Sequence, residues 1–522
     1  MHRSSLSRSF LTRRICLPLT VIALAIAAAG IGATPAAAAS IVVTQTDDSE
    51  SGPGCTLRQA IRAANANAPV LFCFHPGTSA PDTIVLPAGT YALSQAGVDD
   101  TAEDGDLDIA DDLTIVGAGA ADTIIDATDM TNERAFQVLS GVTATISGVT
   151  ITGGRDNGFS GGGVLNQGTL TLDGVRVTEN ETSATGGGVS NDGTLTVRRS
   201  TIDNNRALAG AGLVHAGGSA TLVSTTISGN EAIGSGGGVL SSAPGTLTHV
   251  TITRNVADAD GEDVIDGDGG GLVATNALNL ARSIVADNTD GSPGAEAPDC
   301  VGGPTSQGHN VIGDTSGCSF VAHGTDRVDV DAMVAPVLKM NGGPTPTHRL
   351  LGGSPALDRV PAADASCGGT DQRGVPRPQR AGCDAGAYEL ALCMGRTVGI
   401  VGTPGADALV GTAGDDVVLA LGGRDVIRTR GGRDTVCGGP GADTIRLGGG
   451  PDRARGEGGG DLIVGGGQSD VLRGNGGSDR LRGGAGRDRL FGEGGNDDLH
   501  GGGGRDRCRQ GPGSGRVRSC EA

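Results

Sequence analysis

Between residues 138 and 288 the apolar positions fall into short alternating runs. GGGVLNQGTLTLDGVRVTEN (161–180) aligns with GGGVSNDGTLTVRRSTIDNN (186–205), then with GLVHAGGSATLVSTTISGN (212–230) and GGGVLSSAPGTLTHVTITRN (236–255). Val164, Val189, Val214 and Val239 form one column, recurring every 25 residues. Leu172, Val197, Leu222 and Leu247 form a second, and Val177, Ile202, Ile227 and Ile252 a third. A fifth copy, with Leu272, Leu280, Val285 and Asn288, follows after 33 residues. A run such as GTLTL has a period of two, which marks a strand and not a helix. Three such strands per unit, separated by Gly/Asn turns, predict the coils of a parallel β-helix with its aliphatic columns stacked inside. Asn180, Asn205, Asn230 and Asn255 close the units. They are expected to stack at the turns, where Asn tolerates left-handed backbone and hydrogen-bonds its neighbours.

Towards the C-terminus the period changes. From Asp407 an aspartate recurs every nine residues, at Asp416, Asp425, Asp434, Asp443, Asp452, Asp461, Asp470, Asp479, Asp488, Asp497 and Asp506. Two places after each sits an apolar residue, from Leu409, Val418 and Ile427 to Leu490, Leu499 and Cys508, and two places before each a glycine, except at Gln468. A thirteenth unit keeps Gly513 and Val517 but has Gly515 where the aspartate belongs, as a terminal cap would. Upstream of both repeats, CTLRQAIRAANAN (55–67) puts Leu57, Ala60, Ile61 and Ala64 on one helical face. It is placed to cover the open end of a solenoid.

Composition agrees with repeats. The 522 residues include 95 Gly, two Tyr and no Trp, which excludes a conventional aromatic core. The net charge of −20 is unevenly spread, because residues 393–522 hold 18 Arg against 14 Asp and 3 Glu. The strongly acidic part is therefore 40–392, which disfavours nucleic acid and anionic membranes as partners and suits divalent cations. Arg3, Arg8, Arg13 and Arg14 precede the apolar run LPLTVIALAIAAAGIGA and the small residues TPAAAAS, the pattern of an export signal cleaved near Ala39. Thr12-Arg13-Arg14 hints at twin-arginine export, with Cys16 where that pattern prefers Phe. Cleavage leaves ten cysteines, and export makes disulfides the expectation. Pairing of neighbours would join 55–73, 300–318, 367–383, 393–437 and 508–520; connectivity does not follow from spacing alone. No CxxC pair supports zinc instead.

Three segments carry resemblances. Cys55-Thr56-Leu57-Arg58-Gln59-Ala60-Ile61 resembles the CSLREA motif of secreted bacterial β-helix proteins, and GDLDIADDLTIVGAG (105–119) the segment that follows it. NGGPTPTHRLLGGSPALD (341–358), TDQRGVPRP (370–378) and CDAGAYEL (383–390) are similar to the tail often called choice-of-anchor Q. Both imply an exported, capped, right-handed β-helix and no particular activity. The nonapeptides resemble the GGxGxDxUx repeat of RTX, or haemolysin-type, calcium-binding proteins. That resemblance implies a parallel β-roll with two units per turn, in which aspartates 18 residues apart share an ion, so twelve aspartates give at most about ten Ca²⁺ sites. The chemistry is consistent, since Ca²⁺ takes six to eight oxygens at roughly 2.3–2.6 Å and glycine lets backbone carbonyls turn towards it. Arginines flank many of the aspartates, as at Arg424, Arg433, Arg487 and Arg505 before and Arg453, Arg480, Arg489 and Arg507 after. They are expected to pair with some carboxylates and weaken or empty several sites.

Enzymatic chemistry was sought as well. Carboxylate pairs or a lyase base would draw on Asp173, Glu179, Asp203, Arg176, Arg199, Arg206 and Arg254, all of which stand where a solenoid is expected to show solvated charge. No nucleophile–histidine pair or phosphate loop appears, and catalytic residues are not assigned. The acidic stretches 99–112 and 258–270 read as solvated loops or strand edges. In the first, Asp104, Asp106 and Asp108 start like an EF-hand, but Ile109 and Ile115 stand where its glycine and final glutamate belong. His309, His348 and Asp371-Gln372-Arg373 read as buried packing or hydrogen-bonding groups.

The sequence thus predicts an all-β solenoid. Its segments are a signal peptide (1–39), an N-terminal cap (40–105), a right-handed parallel β-helix (106–330), a closing segment (331–392) and an RTX β-roll (393–522). The expected protein binds Ca²⁺ outside the cell, secreted or on the cell surface. It engages an extracellular ligand, a polysaccharide or protein surface, in an adhesin-like or matrix role, with no nucleic acid and no membrane span after signal cleavage. The competing reading is a β-helix polysaccharide lyase or hydrolase, and a third is a self-assembling structural protein. Clustering of the outward charges in one groove would favour the enzyme, and scatter would favour binding.

Overall fold

The computed structural model describes residues 40–521 apart from 76, 78–80, 98–100, 131, 261–266, 292–297 and 366. The export segment and parts of the acidic stretches 99–112 and 258–270 lie outside the described residues.

The alternating runs become strands that pair in parallel with the run one coil away, building four sheets of ten, nine, eight and six strands. A middle coil reads Val164–Asn166, Thr169–Asp173, Arg176–Thr178 and Glu181–Thr182, one strand on each sheet. The fourth, two-residue strand follows each closing asparagine. It was not anticipated, because two residues are too few to show alternation. Two aliphatic columns stack in register, Leu172 on Val197 and on to Leu222 and Leu247, and Val177 on Ile202, Ile227 and Ile252. The third column differs from the sequence alignment at one coil. Leu213, not Val214, pairs with both Val189 and Val239. The preceding turn is one residue short and the next one residue long, so Val214 moves to the alternate face.

The asparagine column is buried and continuous. In Asn180, Asn205, Asn230 and Asn255 both the backbone N–H and Nδ2 donate to Oδ1 of the next asparagine, at 2.8–3.1 Å. The series ends on Asp299, whose Oδ1 accepts from Asn288. The left-handed residue is the one before each of them (Glu179, Asn204, Gly229, Arg254 and Asp287) rather than the asparagine itself.

Helix α1 (Leu57–Ala66) is capped by Thr56, whose side chain accepts from Gln59 N–H, while Gln59 reaches back to Thr56 N–H. Its apolar face joins Ile41, Ile84 and Leu107 in the main core, closing the first coil. Arg58, fully buried, is paired with Asp48 at 2.8 Å. The closing segment runs back along the nine-stranded sheet. Gln372 donates to Thr201 and Thr345 and accepts from Thr226, and Ala387 N–H donates to Thr251. The threonines that dock it stand one per coil, on neighbouring strands.

From residue 400 the nonapeptides alternate between two seven-stranded parallel sheets. Val418, Ile427, Val436, Ile445, Ala454, Ile463, Leu472, Leu481, Leu490 and Leu499 fill the space between them. Disulfides join 55–73, 300–318, 367–383, 393–437 and 508–520, and the fourth ties the first residue of the roll segment to the strand Thr435–Pro440. Among the described residues the solenoid is all-β apart from one helix. Among the described residues no helix is long and apolar enough to cross a membrane.

Candidate metal centre

Two nonapeptides make one turn of the roll, so each strand lies on the strand 18 residues away, as Leu472 does on Leu490. That spacing stacks the aspartates into two columns, one beside each sheet. From Asp407 to Asp488, the backbone N–H of every aspartate donates to Oδ1 of the aspartate 18 residues on, at 2.8–3.0 Å. The second oxygen behaves differently. In Asp425, Asp434, Asp443, Asp452, Asp461, Asp470, Asp479, Asp488, Asp497 and Asp506, Oδ2 is buried without a hydrogen-bond partner. Orphaned buried carboxylate oxygens are costly and call for an explanation.

Only the first aspartate of each column escapes. Oδ2 of Asp407 accepts from Thr403 N–H and hydroxyl, and Oδ2 of Asp416 likewise from Thr412. The burial has the expected electrostatic consequence. Loss of solvent pushes the carboxyls up to about 6 at Asp425, Asp452 and Asp479 and about 7 at Asp461 and Asp470, with other ladder aspartates adding to the rise and the backbone N–H bond opposing it.

The glycine five places before each aspartate completes the site. A methyl group on Gly474 would sit 2.1 Å from Oδ2 of Asp479 and 2.9 Å from the carbonyl oxygen of Gly492. The same pair of oxygens, one carboxylate and one main-chain carbonyl, faces Gly438, Gly456, Gly465 and Gly483. The nine-residue spacing contains this glycine, so its place was legible, but its contact with the carboxylate was not. Ala420, Thr429 and Leu447 interrupt the series. Among the described residues no three His, Cys, Asp or Glu side chains converge. A cation in the roll would therefore take most of its oxygens from backbone carbonyls, as a hard ion such as Ca²⁺ accepts.

The expected arginine–aspartate pairs do not form. Arg424, Arg433, Arg453, Arg480, Arg487, Arg489, Arg505 and Arg507 are exposed while the aspartates beside them are buried. The ion pairs in the roll among the described residues are Arg473–Glu493 and Arg505–Glu521, neither with a ladder aspartate. Flanking residues point outwards where the carboxylate turns in, which keeps the guanidinium away.

On the β-helix the candidate charges are scattered. Asp173 is held by Arg198 at 3.1 Å and Arg199 at 2.7 Å, while Arg176 pairs with Asp203 at 2.7 Å on the next sheet. Arg254 lies 3.5 Å from Asp287, Arg206 is exposed on the shortest sheet, and Glu179 occupies a left-handed turn. His348 bonds Ser228 at 2.8 Å and the carbonyl of Ala335 at 2.7 Å, and His309 bonds the carbonyl of Arg359 at 2.9 Å. Arg373 pairs with Asp371 and lies 3.7 Å over the ring of Tyr388. In the acidic stretch, Asp106 is buried 3.6 Å from Arg134 and the buried Asp108 accepts from Ala102 N–H.

Comparison with known proteins adds the following. Among solved structures, pectate lyase Pel9A is similar at a TM-score of 0.39 and 14% identity, over 67% of this chain and 96% of that one. The PL6 family alginate lyase AlyGC is similar at a TM-score of 0.15 and 10% identity, over 81% and 76%. Neither likeness bears on what this chain does. No curated protein sequence matches it. The family model for the RTX calcium-binding nonapeptide repeat (4 copies) matches residues 401–436, 438–472 and 473–508. The β-roll of this chain is built of RTX calcium-binding nonapeptide repeats.

Proposed function

We propose that this protein is an exported β-helix protein, secreted or held at the cell surface, whose C-terminal roll is completed by calcium and whose coils bind an extracellular ligand in an adhesin-like or matrix role. The observation that carries the calcium reading is the row of ten buried carboxylate oxygens without partners, Asp425 to Asp506. In seven of them, Asp443, Asp461, Asp470, Asp479, Asp488, Asp497 and Asp506, a glycine five places earlier lets Oδ2 and a main-chain carbonyl oxygen come close together. Asp407 and Asp416 would join through the aspartates 18 residues on, so the ceiling stays at about ten ions. Calcium would supply positive charge to oxygens that otherwise ionise at a cost. The residues themselves hold the oxygens in register through the ladder of N–H bonds.

Five disulfides and RTX repeats are in keeping with an oxidising, calcium-rich setting outside the cell. The CSLREA-like helix and the choice-of-anchor Q-like segment would serve as cap and docked strap of the β-helix. Its outward charges are spread over several sheets and neutralised in pairs between adjacent coils, which supports a contact surface over a catalytic groove.

Calorimetric titration of calcium into the chelator-treated mature chain tests the reading. Uptake of several ions with a rise in melting temperature is expected. A chain that takes up no calcium and melts identically with and without it would overturn it.

A further inference from the structure

Every ladder aspartate of the roll points in, so the outer faces of its two sheets are left to the residues one and three places on. On the sheet running from Ala408–Val410 to Arg516–Arg518 these include Arg428, Arg446, Arg480, Arg482, Arg516 and Arg518. All six are exposed, and among the described residues none makes an ion pair. Arg428 lies directly beside Arg446 on the next strand, His500 lies between Arg482 and Arg518, and Asp498 lies between Arg480 and Arg516 without forming an ion pair, so the face sets six arginines against one carboxylate. Like charges in register on neighbouring strands, about 4.8 Å apart, repel and cost stability. A folded face that keeps them unpaired calls for a counter-charge from outside.

The roll's own acid cannot provide it once calcium is bound. Residues 393–522 hold 18 Arg against 17 acidic residues, and twelve of those acids are the inward aspartates. Each ion bound to them adds two positive charges and removes the compensation for the arginines outside. We propose that calcium loading turns this sheet into a cationic surface that binds a linear acidic polysaccharide. The proposal rests on the calcium reading above and names the partner class that the reading leaves open.

The chemistry of the face favours that class. Guanidinium forks bind carboxylate and sulfate groups bidentately. Arg428, Arg446, Arg482 and Arg518 stand in one column at whole multiples of the strand spacing, with Val464 and His500 between, which suits a polymer whose anionic groups also recur regularly. Leu462 and Val464, outward in the middle strand, give sugar rings an apolar saddle between the basic strands. The face has no Phe, Tyr or Trp on which bases could stack and is too broad to enter a DNA groove. Its exposed apolar side chains, Val410 and Val517, stand at opposite ends of the sheet and form no continuous anchor for a bilayer. The acidic body at 40–392 repels polyanions, which confines binding to the roll.

The test measures binding of the mature full-length chain to immobilised chondroitin sulfate, a polymer that does not gel with calcium. Calcium is compared with chelator plus magnesium at equal ionic strength, with calcium uptake followed separately by calorimetry. Binding about tenfold or more tighter with calcium, and weakening steeply with salt, is expected. The exchanges Arg446→Glu and Arg482→Glu, both at exposed positions away from the ladder, should abolish binding while calcium stoichiometry stays unchanged. Calcium uptake without polysaccharide binding would overturn this proposal and leave the calcium reading intact. Binding that ignores calcium, or that survives both exchanges, would overturn it as well. So would equal or tighter binding to duplex DNA or to phosphatidylserine vesicles, or calcium-driven self-association with no uptake of polysaccharide. Absence of calcium uptake would sink the underlying reading itself.

Discussion

The backbone N–H of Asp470 donates to Oδ1 of Asp488 at 2.9 Å, and Oδ2 of Asp488 is left buried with no partner. The two oxygens of one carboxylate thus have separate tasks, one fixing the register of the turn and the other facing the oxygen-lined space beside Gly483. Asp488→Asn keeps the first and removes the second. It is expected to lower calcium stoichiometry by one or two ions and to shrink the calcium-induced rise in melting temperature, while the metal-free protein stays as stable or gains slightly. Calorimetric titration and paired melting curves with and without calcium check this. Unchanged stoichiometry would show that Oδ2 is not a ligand.

Two glycines of the roll should respond oppositely to one methyl group. Neither Gly474 nor Gly449 has left-handed backbone, so space alone decides. At Gly474 the methyl would strike Oδ2 of Asp479 at 2.1 Å, whereas nothing lies within 4 Å of it at Gly449. Gly474→Ala should cost about 2 kcal/mol or more and weaken calcium binding. Gly449→Ala should gain about 0.5 kcal/mol, because it restricts the unfolded chain without strain. Denaturant unfolding in saturating calcium separates the two.

Acid should strengthen the β-helix over a defined range. Burial raises Asp106 and Asp299 from 3.8 to about 6. A carboxyl that holds its proton more tightly when folded contributes stability below its unfolded value, near 4, and loses that contribution as pH rises through about 6. Stability of the coils is therefore expected to fall between pH 4 and pH 7, by on the order of 5 kcal/mol for the pair. Asp106→Asn should flatten the profile in urea unfolding followed across that range. A profile that rises instead would mean that Arg134 dominates over burial at Asp106.

Much of this structure was written in the periodicity, and the exceptions have physical reasons. The columns through Leu172 and Val177 stack where the alignment puts them because an interior aliphatic cannot leave its face without exposing itself. Val214 falls out of its column because two compensating one-residue changes in turn length are invisible to a repeat count. The nine-residue recurrence located Asp407 to Asp506, yet it could not say that one oxygen of each would be occupied by a neighbour's N–H and the other left free. Nor could it say that Arg487 and Arg489 would turn away from Asp488, since side-chain direction at a turn depends on backbone geometry that composition does not specify. The docking of Gln372 across Thr201 and Thr226 is a contact between distant segments, with no periodic trace in the closing segment.

The asparagine column makes the sharpest demand on a single residue. Asn230 donates from its backbone N–H and its Nδ2 to Oδ1 of Asn255, at 3.1 and 2.8 Å, and also from Nδ2 to the carbonyls of Ile202 and Ser228. Its Oδ1 accepts both donors of Asn205. Asn230→Ala removes the side-chain half of this junction inside a buried column: the backbone N–H of Asn205 loses its acceptor, and the carbonyls of Ile202 and Ser228 lose a donor, where water has no access. At about 1–3 kcal/mol per abandoned buried group, partly relieved by local relaxation, a loss of about 3 kcal/mol or more is expected. Asn204, which precedes Asn205 in the same column, is exposed and left-handed at φ 53°, so Asn204→Gly should lie within about 0.5 kcal/mol of the parent or above it. Equal effects at the two positions in urea unfolding would mean that the column is ornamental and that the aliphatic stacks alone hold the coils in register.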